Sequence, residues 1–202
     1  RYDSVNDAIN NIFKLQSSIG QFSWYIDGLY REANNTNING YAENNSNEGR
    51  EDVIENSDLR SKSTSAGISW IGENSFIGLS VSRLENNYGI PGGGHHHHDE
   101  DEDHNEEHEG EEEHEGEEEE EIIRIDLTQT RYDLKAGMQD VNDAIESIDF
   151  RMAYNDYEHV ELEGSETGTR FSNDAWEGRV EIVHRPWQNW QGAFGLQVSD
   201  RD

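Results

Sequence analysis

The chain has 202 residues, which is one ordinary domain or a piece of something larger. Its 15 Lys and Arg against 45 Asp and Glu give a net charge of −30, excluding nucleic acid or an anionic membrane surface as a default partner. There is no cysteine, so no disulfide framework, thiolate site or Cys nucleophile, and at 31% hydrophobic residues the chain is too polar for a helical membrane protein.

The chain opens at Arg1 with no charged n-region and apolar h-region, as expected of a processed chain or an excised fragment. Beyond it, apolar residues alternate with period two. Phe22, Trp24 and Ile26 oppose Ser23, Tyr25 and Asp27, and Ile77, Leu79 and Val81 oppose Gly78, Ser80 and Ser82. Ile148, Phe150, Met152 and Tyr154 repeat the pattern, as do Trp176, Val180 and Ile182, and then Phe194, Leu196 and Val198. This is strand spacing. Between Ile123 and Met138 the apolar parity switches, from Ile123, Ile125 and Leu127 to Tyr132, Leu134 and Ala136. The switch predicts either a bulge or an exit from the buried zone. About seven strands are expected, over 15–31, 61–71, 75–84, 122–137, 146–162, 176–185 and 191–199.

Connections between these runs alternate in length. Long ones at 32–60, 85–121 and 163–175 interleave with short ones at 72–74, 138–145 and 186–190. An outer-membrane barrel has this form, with short periplasmic turns and long extracellular loops. Trp70, Phe76, Trp176, Trp187 and Trp190 stand near strand ends, where interfacial girdles lie. The competing architecture is a large soluble β-sandwich. The expected fold class is therefore all-β, an antiparallel transmembrane β-barrel of the outer-membrane type. Seven strands do not close such a barrel, which takes an even number of at least eight. Residues 1–202 are then expected to be one partial barrel domain, an arc with long extracellular loops and no plug domain.

The segment 85–121 is expected to be a His/Asp/Glu-rich, disordered extracellular loop. Residues 99–121 hold 17 acidic residues in 23 with no Lys or Arg, and removing those charges takes the net from −30 to −13. Seven of the nine histidines crowd the same region: His95, His96, His97, His98, His104, His108 and His114. Neutral imidazole is the commonest ligand for zinc, copper or nickel, and carboxylates such as Asp99, Asp101 and Asp103 add oxygen donors and negative potential. Calcium prefers all-oxygen sites, so the histidines favour zinc or a similar divalent transition metal. Glycines before and within the run give it no fixed geometry, so the expectation is a weak multi-site trap. A purification tag and a purely solvated acidic spacer are the two other readings of this run, and the further histidines embedded among acids argue against both.

Other motifs are weaker. His159, with Glu161 and Glu163, is a candidate second-tier ligand near an extracellular strand end, and otherwise a solvated strand residue. His184 precedes Arg185-Pro186 at a short turn and reads as structural. No HExxH, G-x-S-x-G or phosphate-binding glycine loop is present, so an enzyme is not expected.

Ser69-Trp70-Ile71-Gly72-Glu73-Asn74-Ser75-Phe76-Ile77-Gly78, followed by Asn87-Tyr88-Gly89-Ile90-Pro91-Gly92, resembles the TonB-dependent outer-membrane receptors, and most closely their zinc-uptake branch. Ile125-Asp126-Leu127, Arg131-Tyr132-Asp133-Leu134-Lys135, Tyr154 to His159, and Glu181 to Pro186 continue the likeness in order. It spans most of the chain from about Leu59 onward. The resemblance implies a 22-stranded barrel with an N-terminal plug that contacts TonB, neither plug nor TonB-contacting segment being visible here.

The expected function follows from both lines. This would be part of a receptor in the outer membrane of a Gram-negative bacterium, with lipid around the barrel and the His-rich loop outside. It would capture and import zinc or another divalent transition metal. The rivals are a soluble or surface β-domain that buffers metal, and a receptor for an iron chelate whose acidic loop is incidental.

Overall fold

The computed structural model describes residues 2–42, 52–92, 122–164 and 166–202. The strands are β1 (Tyr2–Asp3), β2 (Ala8–Ile19), β3 (Phe22–Ala33), β4 (Thr36–Asn37), β5 (Val53–Ile54), β6 (Leu59–Ile71), β7 (Ser75–Gly89), β8 (Ile123–Gln139), β9 (Ile145–Glu163), β10 (Glu166–Trp187) and β11 (Trp190–Arg201). The protein is all-β. Nine strands form one antiparallel sheet in the order β1-β2-β3-β6-β7-β8-β9-β10-β11, and β4 and β5 pair separately. Among the described residues the sheet is open, with β1 and β11 at its edges. No described helix is long and apolar enough to cross a membrane.

The strand count exceeds the expected seven. The run expected as one strand over 15–31 is a hairpin, because Gly20 takes φ +60° and turns the chain between Ile19 and Phe22. The connection expected over 163–175 is largely strand, since β9 extends past the apolar zone to Glu163 and β10 starts at Glu166, the two residues paired. Likewise β7 runs to Gly89, so residues 85–89 are ladder rather than loop. Strand β8 pairs without a register shift from Ile123 to Gln139, so its parity switch is an exit from the apolar zone and not a bulge.

Register aligns the apolar residues of the strands on one face. Phe22, Trp70, Ile77, Ala136, Phe150, Val180 and Leu196 form one continuous cross-strand row. The next row on that face holds Trp24, Ile68, Leu79, Leu134, Met152, Gly178 and Val198. A third brings Ile26, Ala66, Val81, Tyr132, Tyr154 and Trp176 level, with Tyr132 and Tyr154 rings 6.3 Å apart. One row further the face turns polar, with Thr64, Arg83, Thr130, Asp156 and Asp174. On the tight-turn side of the Phe22 row the face stays apolar, with Met138, Ile148, Ile182 and Phe194, so aromatic residues stand in the outer rows of the band toward both ends. Phe76 is an exception to the expected girdle: it lies on the opposite face, its ring over Gly137.

The opposite face is polar. One row there reads Ser69, Gly78, Lys135, Arg151, Arg179 and Gln197, flanked by rows carrying Asp133 with Glu177 and Asp149 with Glu181. Rows of opposite sign offset the repulsion between like charges standing across from one another. The apolar face has no covering layer: Leu79 is 56% exposed and Phe194 66%, while the buried apolar residues among those described are Ala8, Ala33 and Ile123. Burying such a side chain fully is worth about 1.5–3 kcal/mol, which this sheet alone does not gain.

The turns at 20–21, 72–74, 140–144 and 188–189 share one end of the sheet. Arg185 ties two of them together there, its Nη2 donating to Asp140 Oδ1 at 2.7 Å and its Nε to the Asn142 carbonyl at 2.9 Å. At the other end the chain leaves the sheet after Ala33 and after Gly89 and re-enters it at Leu59 and Ile123.

Candidate functional site

His95, His96, His97, His98, Asp99, Asp101, Asp103, His104, His108 and His114 all lie outside the described residues. What the structure describes is the root from which that segment leaves the sheet. Gly89 pairs with Arg124, and Ile90 N–H donates to the Ile123 carbonyl at 3.0 Å, so strands β7 and β8 stay together up to the departure point.

Asn56 closes this root from the neighbouring segment. Its backbone is left-handed at φ +53°, a conformation that asparagine tolerates better than most residues. Its Nδ2 donates to the carbonyls of Ile90 at 3.0 Å and Ile123 at 2.7 Å, one on each leg of the root. Gly89 lies directly beneath it, where a Cβ would run into both the side chain and the carbonyl of Asn56.

Arg124 completes the brace. Its two Nη groups donate to the two Asp58 oxygens at 2.8 and 2.9 Å, and Nη2 also reaches Asn87 Oδ1 at 2.7 Å. A bidentate, charge-assisted pair fixes orientation as well as distance. Arg124's hydrogen bonds hold the Asp58 carboxyl below the ordinary carboxylate range. Asp58 is itself positioned by its neighbours, its N–H donating to Asn35 Oδ1 at 3.0 Å and its carbonyl accepting from Gly89 N–H at 3.2 Å. The root and the segment 52–58 are thus one hydrogen-bonded unit.

Beside this brace lies an open polar groove of about 750 Å³ whose charged walls are Asp7, Glu32, Asp52, Asp58, Arg60 and Arg124. Its carboxylates are already engaged: Asp58 with Arg124, Glu32 with Arg60 at 2.8 Å, Asp52 with Gly40 N–H at 2.9 Å, and Asp7 with the Tyr2 hydroxyl. No group of three or more His, Asp or Glu side chains suited to a metal is assembled among the described residues.

His159 sits in an aromatic cluster on the polar face. Its ring stacks on Phe171 at 5.2 Å, and Nδ1 lies 3.1 Å from the Tyr157 hydroxyl. The structure does not gather Glu161 and Glu163 with it into a donor set. His184 lies near the tight-turn end of β10, its Nδ1 2.8 Å from the Arg185 carbonyl. No motif announces the brace, since Asn56 and Asp58 are ordinary polar residues and Arg124 lies 66 residues further along the chain. Compared with models of known protein families, the chain matches none.

Proposed function

We propose that this chain is an arc of the barrel of a TonB-dependent outer-membrane receptor that captures and imports zinc or a similar divalent transition metal. The observation that carries the membrane part is the apolar face: a band running strand to strand across the sheet, uncovered, with aromatics in its outer rows and a polar row beyond it on the side away from the tight turns. Lipid is the cover that suits such a band, and alternate side chains then face a polar lumen. The tight turns would be periplasmic and the segment 90–122 extracellular.

The metal part rests on composition and placement. The segment whose sequence holds seven histidines among dense carboxylates is rooted at Gly89 and Ile123, at the end of the sheet opposite the tight turns. The acids would raise the local cation concentration, and neutral imidazoles would take up the ion. Weak sites suit this role, because a captured ion must also leave. Protonation of the imidazoles would release metal as pH falls, and the surrounding carboxylates, by favouring the charged imidazole, would move that loss to higher pH. TonB, acting through a plug, would energise the import.

A soluble metal-buffering β-domain is the main alternative, and partitioning separates the two. The purified chain should require detergent or lipid for solution, whereas a chain that is monomeric and soluble in buffer would contradict the barrel arc. An iron-chelate receptor with an incidental loop is separated by growth on zinc-chelated against iron-chelated medium.

A further inference from the structure

Asn39-Gly40 is the sole Asn-Gly pair in the sequence, and it lies outside the strands, in the bend after β4. Asn39 is exposed, and Gly40 takes φ +89°, where no Cβ hinders its backbone nitrogen. That N–H donates to Asp52 Oδ1 at 2.9 Å. Asp27-Gly28 makes an instructive contrast, since Gly28 is locked into the ladder between Phe13 and Thr64.

We propose that Asn39-Gly40 is a site of spontaneous succinimide formation assisted by Asp52. The Gly40 nitrogen attacks Asn39 Cγ and passes its proton to the Asp52 carboxylate, forming the ring C–N bond. The Cγ–Nδ2 bond then breaks, and the amide nitrogen leaves as ammonia with the proton that Asp52 held. Water opens the ring at either carbonyl, giving aspartate or isoaspartate with no oxidant or reductant involved. Isoaspartate inserts a methylene into the backbone beside the Ile38 N–H to Asp52 carbonyl bond of 3.0 Å and the Asp52 N–H to Gly40 carbonyl bond of 2.8 Å. Both hold the β4–β5 hairpin that borders the polar groove, so the product loosens that wall. This inference is independent of the receptor reading.

The test is peptide mapping by mass spectrometry of the whole chain held at neutral pH and 37 °C. Asn39 should gain about one mass unit, split into aspartate and isoaspartate peptides, while other asparagines change far less. Asp52→Asn should slow the conversion about tenfold, less than the hundredfold or more of a positioned catalytic base. An Asn39 that stays intact over weeks would overturn the proposal, and an unchanged rate in Asp52→Asn would remove Asp52 from it. A Gly40→Ala variant that converts as fast as the parent would also overturn it, because the unhindered nitrogen is its basis.

Discussion

Arg124 and Asp58, 66 residues apart, meet in a two-point ion pair at 2.8 and 2.9 Å across the root of the acidic segment. Through Asn56 and Asn87 this pair fastens two long connections into one platform.

The platform depends on Gly89. Gly89→Ala would force Asn56 off the carbonyls of Ile90 and Ile123, and overpacking of this kind costs about 1–3 kcal/mol. Limited proteolysis should then cut near residue 90 or 122 faster than in the parent, while the tight-turn end stays resistant.

The Asp58–Arg124 pair also fixes a pH window. The folded carboxyl lies below its unfolded value of about 3.9, so its contribution is complete above that value and is lost as pH falls through the folded one. Hydrogen exchange at the Ile90 amide, corrected for intrinsic rate, should therefore be flat from pH 7.5 to 5. An opening of the root within that range would contradict the assignment. Loss of metal across the same range would then belong to the imidazoles.

Leu79 and Ser80 are neighbours on opposite faces of β7. Leu79→Arg should cost about 2–4 kcal/mol of stability in lipid, as charges do near the midplane of a barrel wall, whereas Ser80→Arg should be nearly neutral. Urea unfolding in liposomes measures both. Equal costs would mean that the two faces see the same solvent.

How much of this was legible beforehand varies along the chain. The alternation of Ile77-Leu79-Val81 and Ile148-Phe150-Met152 marked strands because one face had to be apolar throughout. Strand β2 was less visible: Gln16, Ser17 and Ser18 dilute its pattern, and the parity flip from Ile19 to Phe22 that betrays the Gly20 turn is easily read as one long strand. The outer half of β10, Glu166 to Ala175, gave no periodic signal because it lies beyond the apolar band. The root was invisible for another reason. Asn56, Asp58 and Arg124 come together only through strand pairing, and each alone is an unremarkable polar residue.

The His/acid segment is proposed to trap a transition metal. Calorimetric titration of Zn²⁺, with Ca²⁺ in excess, into the whole chain and into a form lacking residues 93–121 tests it most directly. Several weak zinc sites that disappear with the deletion and fade between pH 7.5 and 5 are the predicted result. Zinc binding that is absent, that Ca²⁺ abolishes, or that survives the deletion unchanged would contradict it.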